Sequence, residues 1–277
     1  MVKVGLLHPG EMGAALGAVL RDRGHDALWA SRGRSDATAN RAEQAGLLDA
    51  GDAEELCRRC DVVISVCPPH AALDVARSAA GFAGIYIDAN AVSPETSREI
   101  GSLLDRFVDG GIIGPPPRES ATTRLYLAGA DARPTAELFS GSIVDARVVS
   151  DQPGSASALK MSYASWTKGS SALLLAARAL AQAEGVEEAL LEEWELSLPD
   201  LEERSVTASR SALRKGWRWV GEMNEIANSY ASAGLPDGFH RAAAEIYRRA
   251  SGEPDREAPV ERVLAGIRET GDRQGFR

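Results

Sequence analysis

Short, unbroken apolar runs alternate with helix-forming stretches through the first half of the chain. Residues 2–7 (VKVGLL), 27–30, 61–66 (DVVISV) and 85–88 each predict a strand. Apolar runs without polar alternation point to parallel strands covered on both faces by the helices between them. Residues 12–23 predict the first of those helices, carrying the small residues Ala14, Ala15, Gly17 and Ala18. Residues 107–113, 124–128 and 143–149 predict three more strands, with Gly114-Pro115-Pro116-Pro117 as a rigid loop between the first two. The pattern changes at Gly154. From Ser155 to Lys168 there is no Gly or Pro, which opens a long helix, and 186–196, 201–232, 238–250 and 260–269 predict further helices. Pro199, Gly234-Leu235-Pro236 and Gly252-Glu253-Pro254 separate them, and 271–277 reads as a frayed tail. The expected class is α/β, with a doubly wound sheet over 1–152 and an all-α domain over 153–277, joined by a long interdomain helix.

Composition narrows the function. A chain of 277 residues with 44% hydrophobic content can bury the core of one large domain or of two modest ones. The formal net charge of -9 argues against a surface-wide attraction to nucleic acid or anionic lipid. No segment reaches the roughly 18 consecutive apolar residues of a membrane span. The strand pattern begins at once, so no signal or transit peptide is expected ahead of the fold, and the expected location is cytoplasmic. Cys57 and Cys60 form a lone C-x-x-C with no second ligand pair nearby, so no metal site is expected.

The join between the first strand and first helix is His8-Pro9-Gly10-Glu11-Met12-Gly13. It keeps the second and third glycines of the dinucleotide fingerprint G-x-G-x-x-G and places His8 at the first, which makes the sheet Rossmann-type. Gly10 would let a pyrophosphate approach the backbone, Gly13 would let helix and strand pack closely, and the helix N-terminus offers N–H groups to phosphate. His8, Pro9, Gly10, Glu11 and Met12 are therefore expected at the cofactor. An NAD-preferring site would carry Asp or Glu at the end of the second strand. Ser31, Arg32 and Arg34 stand there instead, which suits the 2′-phosphate of NADP, with Arg32 as the first choice of guanidinium. Ligands in such sheets collect beyond the strand C-termini, which adds Cys67, Pro68, Asn90 and Ser93. Ser93 precedes Pro94 and is equally suited to cap a helix.

One lysine stands out in the second half. At about 100° per residue, Lys160 shares a helix face with Tyr163, Ala164, Thr167 and Ser171, a hydroxyl-rich stripe that a plain core helix would not need. Lys160 is the candidate acid/base, and Lys168 points elsewhere.

The order of these parts resembles the β-hydroxyacid dehydrogenase and 6-phosphogluconate dehydrogenase superfamily. Its G-x-G-x-M-G fingerprint is matched at Gly10, Met12 and Gly13, its D-x-S-T-x-x-P loop in outline at Asp88, Asn90, Ala91 and Pro94, and its G-x-x-x-K-x-x-N-N helix at 154–169. DANAVSP, VDGGIIGPPP, SALKMSYASWTKG, WRWVGEMNEIA and GLPDGFHRAAAEIY look like a shorter, phosphogluconate-dehydrogenase-like NADP-dependent subgroup. Tyr163 and Ala164 replace the two asparagines, and Asn90-Ala91 replaces Ser-Thr. The helical half is too short for a true 6-phosphogluconate dehydrogenase.

The resemblance implies hydride exchange between NADP and a small polar hydroxy acid or related carbonyl compound, with Lys160 as the catalytic acid/base. A positioned ammonium both stabilises and protonates the alkoxide that hydride transfer leaves, and to act as a base the lysine must have its pKa lowered. Tyr163 would orient substrate or relay the proton, while Asn90, Ser93 and Thr167 would contact substrate, Asn90 close to the chemistry. The alternatives are an NADPH-dependent imine reductase, which usually carries Asp or Tyr at the lysine position, and a non-enzymatic NADP-binding sensor. Leu173, Leu174 and Leu175 and the resemblance together imply a homodimer.

Overall fold

The computed structural model describes residues 1–251 and 260–268. The expected break at 252–254, the end of the helix expected over 260–269 and the tail at 271–277 lie outside the described residues. The first half runs β1 (Lys3–Leu6), α1 (Glu11–Asp22), β2 (Asp26–Trp29), α2 (Asp36–Gln44), β3 (Leu48–Asp49), α3 (Ala53–Arg59), β4 (Val62–Ser65), α4 (Ala72–Arg77), β5 (Ile85–Asp88), α5 (Pro94–Gly101), β6 (Phe107–Ile113), β7 (Thr123–Ala128), α6 (Ala132–Glu137) and β8 (Val144–Ser150). The strands form one sheet in the order β3-β2-β1-β4-β5-β6-β7-β8.

Alternation hidden inside the apolar runs sorts their side chains between two cores. Val62, Ile64, Ile85 and Ile87 pack with Leu16 and Leu20 of α1 on one face. Val63 and Tyr86 pack on the other with Leu56 of α3, Ala76 of α4 and Ile100 of α5. Both faces of each central strand are covered, as the unbroken apolar pattern requires.

The four strands expected to be parallel are so, and the sheet reverses at β7, which pairs antiparallel with β6. Loop 114–122 is shorter than the crossover of about a dozen residues that a parallel return needs. Gly114 makes the reversal possible: its φ is +125, and a Cβ there would collide with the Thr122 carbonyl. The short edge strand β3 and helix α6 are the elements the apolar pattern did not announce.

The second half runs α7 (Ser155–Ala183), α8 (Glu187–Ser197), α9 (Leu201–Ser232), α10 (Gly238–Ala250) and α11 (Val260–Arg268). Two compact units divide at Met161 and Ser162, so the first turns of α7, including Lys160, belong to the unit that holds the sheet. In the second unit Met223 and Ile226 of α9 and Ala243 and Tyr247 of α10 are buried. The Tyr247 hydroxyl donates to the Lys168 carbonyl at 2.6 Å, and Lys168 pairs with Glu222 at 2.7 Å. No helix among the described residues is long and apolar enough to cross a membrane.

Candidate active site

Chain exit from β1 and entry into α1 leave an opening at the carboxyl end of the sheet. Gly13 is demanded by packing, because a Cβ there would run into the His8 carbonyl oxygen. Gly10 has the opposite surroundings, with nothing within 4 Å of where its Cβ would stand. It is the N-cap of α1 and no side chain caps the helix, so the positive end of the helix faces open space. That is a cradle of backbone N–H groups of the kind that attracts an anion. Pro9 is buried and Met12 packs against the sheet core, so backbone is what both offer a ligand, while Glu11 is exposed.

His8 and Arg34 meet beside this opening. Arg34 Nη2 donates to the Leu7 carbonyl at 3.2 Å, while Arg34 Nε and His8 Nδ1 are buried without partners. Burial first, and the Arg34 charge second, bring the His8 imidazole down to about 4, so it is neutral at neutral pH. Two orphaned polar atoms at one strand end are what ribose or phosphate oxygens would satisfy. Arg32 lies differently: it pairs with Asp52, and its side chain is 76% exposed. Ser31 Oγ donates to the Gly51 carbonyl at 3.3 Å.

Asn90 ties β4 to β5. Its Oδ1 accepts from the Cys67 N–H at 2.5 Å, and its Nδ2 donates to Ser65 Oγ at 3.0 Å and to Asp88 Oδ2 at 2.7 Å. The Asn90 amide is thereby engaged within the fold. Burial pushes the Asp88 carboxyl up to about 7 against the Asn90 bonds that hold it down, with neighbouring Asp109 adding to the rise. The Cys67 thiol is pushed up to about 12 by burial, which makes it a poor nucleophile. Pro68, which follows it, is exposed. Ser93 is the N-cap of α5, its Oγ accepting from the Thr96 N–H at 3.1 Å.

Lys160 sits where α7 lies against β6. Its Nζ donates to the Ile112 carbonyl at 2.6 Å, at the carboxyl end of the strand. One turn earlier, Asp109 of β6 receives the helix start, its Oδ2 accepting from the N–H groups of Ala156 at 2.8 Å and Ser157 at 3.0 Å. Further along α7, Tyr163 is 49% exposed, and Thr167 Oγ1 donates back to the Tyr163 carbonyl at 3.2 Å.

Within the helical unit, Trp166, Leu173, Leu174, Leu201 and Phe239 wall a groove of about 780 Å³. Ser165 Oγ shares hydrogen bonds there with Tyr230 OH at 2.7 Å and His240 Nε2 at 3.4 Å. Burial lowers the His240 pKa.

Two family models match this chain: "NADP oxidoreductase coenzyme F420-dependent" over residues 3–91, and a domain of unknown function, DUF1932, over 181–250. An uncharacterized 28.5 kDa protein of Methanothermus fervidus is 31% identical over 194 residues, 69% of this chain and 75% of that one. A solved conserved protein of unknown function, described as structurally similar to 3-hydroxyacid dehydrogenases, is 32% identical with a TM-score of 0.66, over 90% of this chain and 99% of that one. The chain belongs to the β-hydroxyacid dehydrogenase superfamily. Mycobacterium tuberculosis 3-hydroxyisobutyrate dehydrogenase shares the superfamily fold with this chain at 20% identity and a TM-score of 0.70, over 97% of this chain and 100% of that one. Members are nicotinamide-dependent oxidoreductases, and the open cradle at Gly10 is consistent with that.

The superfamily motifs led to Lys160 but not to Asp109, nor to the Ser165, Tyr230 and His240 cluster. Asp109 did leave a signal: it is a charged residue inside the apolar run 107–113, and a buried carboxylate requires partners. The cluster left none, because Ser165 lies 65 residues from Tyr230 and 75 from His240 in sequence.

Proposed function

We propose that this β-hydroxyacid dehydrogenase homologue is an NADP-dependent oxidoreductase acting on a small polar hydroxy acid or the matching carbonyl compound, with Lys160 exchanging the proton on the reacting oxygen. The observation that carries the reading is the seating of the Lys160 ammonium on the Ile112 carbonyl, at the same carboxyl edge of the sheet as the Gly10 opening. Bound NADP supplies or accepts the hydride. The α1 N-terminus and Gly10 hold the pyrophosphate, and Arg34 with neutral His8 reads the 2′-phosphate and its ribose, a role the exposed Arg32 supports at most from the rim. Lys160 presents an N–H donor to the substrate oxygen, stabilises developing negative charge there and delivers the proton. Asn90 and Ser93 hold the loop after β5 in place, and Tyr163 orients the substrate.

A second reading, reduction of C=N, is favoured by Tyr163, half exposed one turn from Lys160. Activity is proposed in a cytoplasmic homodimer. Of Leu173, Leu174 and Leu175, only Leu173 faces outward, at 56% exposed, and with Trp166 at 73% and Leu180 at 64% it forms an apolar face of α7 that a second copy would cover. The test is NADPH consumption by the full chain against a panel of C3 to C5 3-oxo acids and semialdehydes, with cyclic imines as the rival arm. Turnover of a carbonyl member is expected. Turnover of imines alone would favour the second reading, and no turnover with either would refute both.

A further inference from the structure

We propose that Asp109 is the residue that positions Lys160: its buried carboxylate fixes the first turn of α7 and so sets the lysine ammonium on the Ile112 carbonyl. The functional consequence rests on the reading of Lys160 as the acid/base. The geometry does not.

Asp109 is 1% exposed. A carboxylate away from water needs its lone pairs filled, and four donors reach this one. Oδ2 takes the Ala156 and Ser157 N–H groups, at 2.8 and 3.0 Å. Oδ1 takes the hydroxyls of Ser157, at 2.6 Å, and of Ser97 on α5, at 3.0 Å. The first N–H groups of a helix have no partner inside it, and the helix dipole favours negative charge beside them. Helix caps usually come from the residue just before the helix. Here the acceptor comes from a sheet strand instead, which couples the height and rotation of α7 to β6.

Gly111 completes the seat. Side chains alternate along a strand, so residue 111 lies on the same face of β6 as Asp109. A Cβ at Gly111 would stand 2.7 Å from the Ala156 carbonyl oxygen and 3.2 Å from Lys160 Cβ. The turn bearing Lys160 is therefore held by hydrogen bonds at Ala156 and Ser157 and by close contact at Ala156 and Lys160. A misplacement of about 1 Å at a reacting group can cost on the order of 10²-fold in rate, so this seating controls the chemistry that Lys160 performs.

The test is Asp109→Asn in the full chain. Asparagine keeps the size of the side chain but points an NH₂ group at donors. Only four lysines are present, Lys3, Lys160, Lys168 and Lys215, so the ¹H–¹⁵N signal of the Lys160 ammonium can be assigned by its loss in Lys160→Met. In the unsubstituted protein that signal is expected to be protected from water exchange by the Ile112 carbonyl. In Asp109→Asn it should broaden or vanish while the Lys168 signal stays, and kcat should fall roughly 10- to 100-fold with the KM for NADPH within about twofold. A signal left unchanged in the variant, or none in the unsubstituted protein, overturns the proposal. Should Asp109→Asn not fold, Ser97→Ala and Gly111→Ala are read the same way, and an unchanged signal in both overturns it. Full turnover in Lys160→Met would instead remove the acid/base reading, and the ammonium signal would still decide the role of Asp109.

Discussion

Lys160 and Ile112 meet at 2.6 Å, ammonium to carbonyl, where α7 crosses the end of β6. A backbone carbonyl accepts only through its oxygen, so it takes one N–H of the ammonium and fixes where Nζ stands. The lysine's neighbours explain why it stands there.

Arg34, rather than Arg32, should decide cofactor choice. Arg34→Ala should weaken NADPH binding by about 1.5–3 kcal/mol, the worth of a charged hydrogen bond, and bring the NADPH and NADH affinities together. Arg32→Ala, which removes an exposed partner of Asp52, should cost less than about 1 kcal/mol. Fluorescence titration with both cofactors checks this, and the reverse ranking would return the 2′-phosphate to Arg32.

His8 and Asp88 should tilt the pH dependence of stability in opposite directions. His8 is held down to about 4 in the folded protein, from 6.5. Between those values the unfolded chain binds more protons, so this group's contribution is present above pH 6.5 and is lost as pH falls toward 4. Asp88 is pushed up to about 7, from 3.8. Over that window the folded protein binds more protons, so its contribution is full below pH 3.8 and falls as pH rises through 7. Urea midpoints measured from pH 4 to 7.5 should therefore give opposite slopes for the stability differences of His8→Gly and Asp88→Asn from the unsubstituted protein. Slopes of the same sign would contradict these environments.

The outer face of α7 should hold two copies together. Trp166→Glu is expected to shift the mass seen by light scattering from dimer to monomer at micromolar concentration, with the fold retained by circular dichroism. A monomeric unsubstituted protein would sink the proposal of a homodimer.

Much of the sheet was legible because its strands carry apolar residues on both faces, as in VVIS of β4 and IYID of β5. The antiparallel turn at β7 was not, since parallel and antiparallel buried strands have the same composition and only the length of loop 114–122 separates them. Lys160 was singled out by a motif, and its seat on the Ile112 carbonyl was not readable from the sequence. The difference between Arg32 and Arg34 was not, because it depends on which side chain folds back over Leu7 and which meets Asp52. Asn90 shows the same limit, since nothing in the sequence says that its amide clamps Cys67 to Asp88, whereas the cap that Ser93 places on α5 was open in the sequence because Pro94 follows it.

The most direct measurement is the turnover of Lys160→Met with NADPH and whichever carbonyl substrate the panel identifies, alongside a fluorescence titration of NADPH. The expected result is a loss of roughly 10² to 10⁴ in kcat, the usual worth of a positioned acid/base, with NADPH affinity unchanged. Undiminished turnover in a variant that still binds NADPH would contradict the assignment of Lys160.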